Sequence, residues 1–246
     1  MKTILRTEAL GRKFGAFQAL SNVSIEFPAG QLIAIIGPNG AGKSTFFNVI
    51  SGAIPASTGR VWFEDREITA LKQHEYARHG IAKSFQITNV FKQLSAHENV
   101  RVAAQAMSSR FNIWQPRSKL TELSDFADAL LQRVGLQEVR TKPAADLAHG
   151  QQRALEVAMA LAAKPKLLLM DEPTAGMSPE ETTVMMSLIT SLAAERTVIL
   201  VEHKMKLVMG ICQRLIVLHQ GQLLAEGTPA EIRSNAEVKR VYLGQN

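Results

Sequence analysis

The stretch QLIAIIGPNGAGKST, residues 31–45, constrains this chain more than any other. Its first half is an unbroken apolar run of strand length, which is how a strand buried on both faces of a parallel sheet reads. Its second half is a turn with Gly37, Gly40 and Gly42, leading into a helical pattern. That order lets the backbone curl so that amide hydrogens converge at a helix N-terminus, whose dipole favours an anion. A plain glycine-rich turn is the alternative, but a match to GxxxxGK[ST] arises by chance in only on the order of 1% of chains this long. We therefore read Gly37, Pro38, Asn39, Gly40, Ala41, Gly42, Lys43, Ser44 and Thr45 as a phosphate cradle. Lys43 would reach the β and γ phosphates of a nucleotide, and Ser44 would ligate Mg²⁺.

Two more apolar runs end on polar residues, in KLLLMDEPTAG and TVILVEH. The carboxyl edge of such strands is where ligands collect in open α/β sheets. Asp171 is placed to support the metal and Glu172 to polarise an attacking water. Two acids ending a strand would explain their position but not their partnership with the upstream loop. His203 alone would read as a structural histidine; with three strand ends converging, it becomes a γ-phosphate contact that orients the water. Gln86, in AKSFQITNVF, stands where strand pattern gives way to helix. Its amide is a candidate Mg²⁺ ligand, weighed evenly against an ordinary polar loop residue.

Elsewhere SNVSIEF alternates at Val23, Ile25 and Phe27, and RLIVLHQGQLLAEG sets two apolar arms around Gly221, both patterns of antiparallel edge strands. Residues 91–163 contain no strand-like run, and TELSDFADALLQRVGL places Leu123, Phe126, Leu130 and Val134 on one helical face. The expected fold class is α/β: a P-loop NTPase core with a mainly parallel central sheet, an antiparallel β subdomain and an inserted α-helical subdomain. One domain over 1–246 is expected, its core drawn from 1–90 and 164–246 and its helical insert from about 91–163. At the end, TPAEIRSNAEVKRVYL opens on Thr228, Pro229 and Glu231, a capping box that predicts a terminal helix.

Composition narrows the function. Of the 246 residues 46% are hydrophobic and 20% charged, which excludes a disordered chain, and no apolar stretch reaches the roughly 20 residues that cross a bilayer. The N-terminal MKTILRTEALGRKF lacks the apolar core of a signal peptide, so export is not expected. The single cysteine, Cys212, cannot form an internal disulfide and reads as a small buried hydrophobe in a reducing compartment. A net charge of +6 without a Lys/Arg block weakly favours anionic partners and does not decide which.

One segment looks inert. LAHGQQRALE, residues 147–156, sets a glycine turn before a helix expected near Gln151, yet offers no Ser, Thr, Asp or Asn to cap it. Up to four amide hydrogens are left over at such a start, and in an isolated subunit water is the expected partner.

Taken in order, these motifs resemble those of the ATP-binding subunits of ABC transporters. GPNGAGKST is similar to the family's Walker A, Gln86 to its Q-loop glutamine, LAHGQ to its signature, LLLMDE to its Walker B and His203 to its switch histidine. GIAKSFQITNVFKQLSAHENV, HGQQRALEVAMAL and DEPTAGMSPEE most resemble the subunits of branched-chain amino acid importers of the LivG type. Urea and short-amide importers and the lipopolysaccharide-export ATPase are similar as well. Phe14, before Gly15, resembles the adenine-stacking aromatic, against a plain reading as a strand-end core residue. The resemblance implies a head-to-tail dimer with a second ATP-binding subunit, the same chain or a paralogue. Two ATP molecules would be sandwiched, each between one subunit's Walker motifs and the other's Leu147, Ala148, His149, Gly150 and Gln151. It further implies integral membrane permease subunits contacting residues 86–98, indirectly an external solute-binding protein, and a peripheral place on the cytoplasmic face of the inner (plasma) membrane.

The chain departs from the family pattern twice. Ala148 stands where the common LSGGQ signature has serine, removing a hydroxyl donor, so the contact would rest on backbone amides. Ser178 stands at the aspartate of the usual loop after Walker B, where it makes a capping box with Glu181 and so preserves helix initiation. A soluble ABC ATPase acting on nucleic acid is the rival class; it usually carries two cassettes or coiled-coil insertions, neither found here, so no nucleic acid is expected. A nucleotide-binding regulator without hydrolysis is disfavoured by Glu172 and His203.

Overall fold

Residues 2–84, 90–107 and 117–243 are described in the computed structural model. The chain opens with a long antiparallel hairpin of β1 (Thr3–Phe14) and β2 (Phe17–Pro28), then enters β3 (Leu32–Ile36) and α1 (Lys43–Ile50). It returns through β4 (Thr58–Phe63), β5 (Arg66–Glu67), α2 (Gln73–Tyr76) and β6 (Ile81–Ser84). Helices α3 (Ala96–Met107), α4 (Arg117–Arg133) and α5 (His149–Leu161) follow before β7 (Leu167–Asp171), α6 (Pro179–Ala193), β8 (Thr197–Val201) and α7 (Met205–Ile211). The chain closes with β9 (Arg214–His219), β10 (Gln222–Gly227), α8 (Pro229–Ser234) and α9 (Ala236–Leu243).

The strands form two sheets. One is antiparallel, in the order β2-β1-β4-β5; the other runs β10-β9-β3-β8-β7-β6, with every pair parallel except the edge pair of β9 and β10. The three unbroken apolar runs became β3, β7 and β8, buried at every position because both faces of this sheet are covered. Ile33, Ile35, Leu169 and Ile199 point to a core shared with Phe46 and Phe47 of α1 and with the antiparallel sheet. Leu32, Ala34, Leu168 and Leu200 point the other way, into a core shared with α3 to α6. Phe46 and Phe47 are fully buried, each contributing on the order of 1.5–3 kcal/mol. They hold α1, and with it the turn before α1, against the sheet.

Between β6 and β7 the described residues carry helices and a single isolated bridge, Ser95 with Pro143. Leu130 and Val134 are buried, and Leu123 and Phe126 pack partly buried against the same core. The expected terminal helix is in fact two. Asn235 is extended (φ −63°, ψ 122°), and its side chain accepts from the amides of Glu237 (2.9 Å) and Val238 (3.0 Å), so it starts a new helix instead of continuing the first. Cys212 is buried as expected, and burial pushes its thiol pKa up to about 12.

Candidate nucleotide site

The turn after β3 is braced from outside. Its Ala41 carbonyl accepts from Gly221 N (3.0 Å), and the Gly221 carbonyl accepts from Ser21 N (2.8 Å), so the β9–β10 turn ties the loop to β2. Gly42, the residue before α1, has φ 95°, and a Cβ there would stand 2.9 Å from the Ala19 carbonyl oxygen. Only glycine serves at that junction without strain. Lys43 is buried, and its Nζ donates to the carbonyls of Gly37 (2.8 Å) and Pro38 (2.9 Å), which holds the ammonium inside the loop. Burial lowers its pKa, and the charge of Glu172 pulls it partly back. Ser44 is exposed at the first turn of α1, and Thr45 follows it half-buried.

The sheet order sets β8 next to β3 and β7 next to β8, so the three polar strand ends lie side by side. Asp171, the last residue of β7, is buried beside Val201 of β8. Burial raises its pKa and the neighbouring Glu172 adds to that, while Lys83 and Arg153 draw it down. Glu172 takes a left-handed conformation, φ 45°, and its amide donates to the Val201 carbonyl at 3.0 Å. Such a backbone is uncommon in a non-glycine residue. Glu172 Oε1 stands 3.8 Å from His203 Nδ1, with both side chains partly open to solvent.

The sequence reading missed Glu202. Its carboxylate is fully buried and accepts from the hydroxyl of Thr174, from His203 N (3.0 Å) and from Lys204 N (3.2 Å). Lys204 Nζ closes the loop on the Thr174 carbonyl (3.1 Å). One buried acid thus fixes the histidine's backbone to the loop that follows Glu172. The signal was a charged residue ending an otherwise apolar strand, in the VEH of TVILVEH.

The signature segment begins α5 at His149, two residues earlier than expected. Ala148 supplies no side-chain cap, and its own amide donates to the Gln151 side chain (3.1 Å). The expectation of water at this start is corrected at one amide: Gly150 N donates to Glu181 Oε1 (3.1 Å), a carboxylate from the first turn of α6. A Cβ on Gly150 would lie 2.6 Å from that oxygen, so glycine lets the acid approach. The Ser178 capping box is present, with Glu181 N donating to Ser178 Oγ (3.2 Å) and Ser178 N to Glu181 Oε2 (3.0 Å). Leu147 is buried, whereas Ala148 and His149 are exposed.

Phe14 is 45% exposed at the end of the β1–β2 hairpin, which excludes a core role, and the Arg12 guanidinium lies 4.6 Å from its ring centre. Phe17, opposite it in register, is 66% exposed. Gln86 lies outside the described residues, as does part of the segment 86–98. Among the described residues no group of three or more His, Cys, Asp or Glu could hold a metal. Ser44 and Asp171 offer hard oxygen donors, too few for a closed cage, which fits Mg²⁺ bound chiefly through phosphates and water.

Comparison with known proteins agrees with this arrangement. Residues 20–175 match the ABC transporter family, and residues 222–246 match a model described as branched-chain amino acid ATP-binding cassette transporter. The chain is 38% identical over 252 residues, 99% of each chain, to the high-affinity branched-chain amino acid transport ATP-binding protein BraF of Pseudomonas aeruginosa. It is 38% identical over 250 residues, 98% of each chain, to the corresponding protein LivG of Escherichia coli. A crystal structure of the ADP conformation of an ATP-binding cassette of an ABC transporter superposes with a TM-score of 0.87 at 31% identity, covering 99% of this chain and 100% of that one. A dimeric cassette in a post-hydrolysis state with ADP and phosphate matches with a TM-score of 0.77 at 25% identity, covering 92% and 99%. The family match over residues 20–175 and the near-full-length relatives show that the chain belongs to the ABC transporter family as one of its ATP-binding subunits.

Proposed function

We propose that this subunit hydrolyses ATP, as one half of a head-to-tail pair of cassettes, to drive uptake of branched-chain amino acids through membrane permeases. The observation that carries this reading is the placement of Lys43, Asp171, Glu172 and His203 just at or after the ends of three adjacent parallel strands, β3, β7 and β8. Lys43, already desolvated, binds the β and γ phosphates. Glu172 takes the proton of the attacking water as general base, and His203, 3.8 Å from it, orients that water and contacts the γ-phosphate. Mg²⁺, when bound through Ser44 and Asp171, with Gln86 as a further ligand, would neutralise charge on the phosphates. Phe14 stacks on adenine from the hairpin end, with Arg12 on its ring. The backbone of Leu147, Ala148, His149, Gly150 and Gln151 meets the γ-phosphate held by the other cassette; that a similar cassette is dimeric with ADP and phosphate supports the pairing.

No helix among the described residues is long and apolar enough to span a bilayer; the permease subunits of the proposal rest on the relatives' names as transport ATP-binding proteins. We place the subunit peripherally on the cytoplasmic face of the inner membrane, with a solute-binding protein acting on the far side. The domain division proposed is a core of 1–90 and 164–246 with a helical insert of about 91–163 that docks the permeases. The substrate class rests on two full-length relatives and on the match at 222–246. The test is ATPase activity of the complex reconstituted with its permeases and binding protein. Leucine, isoleucine or valine should stimulate turnover, whereas stimulation only by urea, short amides or a lipopolysaccharide would replace this substrate class.

A further inference from the structure

The carboxylate of Glu181 does two jobs at once. Oε2 accepts from Ser178 N and so closes the capping box of its own helix, α6; Oε1 reaches across to Gly150 N, 31 positions away, at the start of α5. The second contact puts an anion on an amide at the positive end of a 13-residue helix, the feature that attracts phosphate to such helices. Beside it, His149 Nε2 lies 3.1 Å from the carbonyl of Ala175, and Ala175 N donates to the Glu172 carbonyl (3.0 Å). Two short links thus join the signature turn to the segment that follows the general base.

We propose that Glu181 is an internal stand-in for phosphate: it holds the Gly150 amide within one subunit and is exchanged for the γ-phosphate presented by the other. This deepens the head-to-tail reading above and rests on it. An amide cannot donate fully to two anions, and a carboxylate left beside an arriving triphosphate repels it. Closure on ATP therefore swings Glu181 off Gly150. Because the same acid anchors α6 and His149 tethers the Ala175 turn, the exchange moves the loop after Glu172 in the subunit whose signature has just been occupied. Glu181 is a positioning residue, acting on the nucleotide through Gly150. The absence of a hydroxyl at Ala148 makes this amide a larger share of the contact.

Glu181→Gln isolates the effect. A side-chain amide offers one acceptor oxygen in place of two and carries no negative charge, so its hold on the Gly150 amide is weaker than the carboxylate's or is given up to Ser178 N. In the complex assembled with its permeases, the KM for ATP should fall roughly three- to tenfold, the scale of one ordinary hydrogen bond's net contribution. kcat should not rise, because the loop is no longer reset by the acid. Ser178→Ala weakens the α6 cap yet leaves Glu181 on Gly150, so it should lower Tm without lowering KM. An unchanged or raised KM in Glu181→Gln, or an equal fall in Ser178→Ala, overturns the proposal. Gly150→Asp, measured alongside, separates this failure from that of the parent reading: full turnover in that variant would mean that the signature does not meet nucleotide at all, and both ideas fall together.

Discussion

Asp171 at the end of β7 and Lys43 at the start of α1 are both buried, and burial moves each away from its charged form. The site therefore retains charges at a cost to the fold, as functional sites do. For Asp171 the sign can be worked through. Its carboxyl holds a proton more tightly in the folded chain than in the unfolded one, so its contribution to stability is full below the unfolded carboxylate pKa of about 4 and is lost as pH rises through the folded value. At pH 7 the charged group destabilises the chain. Asp171→Asn should accordingly melt higher than the parent at pH 7, the gap closing as pH falls toward about 4, while hydrolysis is lost. Thermal melts across that range check it, and a variant that melts lower at pH 7 contradicts the assignment.

At the scale of elements, α9 exists as a separate helix because Asn235 ends α8 and accepts two amides of the next. Asn235→Ala should weaken that start by about 1 kcal/mol. Amide exchange in α9 should then quicken roughly fivefold while the central strands keep their protection. Unchanged exchange would mean that packing of Val238 and Tyr242 alone holds the helix. The comparison also shows what a sequence reveals and why. The strands and the phosphate loop were legible because each signal is contiguous: an apolar run, glycines at fixed spacing, Lys43 next to Ser44. The Ser178 and Thr228 caps were legible because both partners lie three residues apart. Glu202 and Glu181 were not legible as organisers. Their partners, Thr174 and Gly150, are 28 and 31 positions away, and only the folded sheet brings them together. The Asn235 break was written in SNAEV but was outweighed by the longer helical pattern around it.

Across the whole molecule, a sheet buried on both faces carries the polar strand ends of the proposed catalytic edge, while the helices between β6 and β7 share only one of its two cores. The sheet part carries Lys43, Asp171, Glu172 and His203; the helical part carries the segment 147–151, tied back through Glu181 and His149. This division suits a subunit that contributes different halves to two nucleotide sites. The central claim, that Glu172 on this edge activates the water for hydrolysis, is tested most directly by ATP turnover of the Glu172→Gln complex assembled with its permeases. Turnover should fall on the order of 10²- to 10⁴-fold with ATP still bound, the range for removal of a general base. Turnover equal to that of the parent complex would contradict the account.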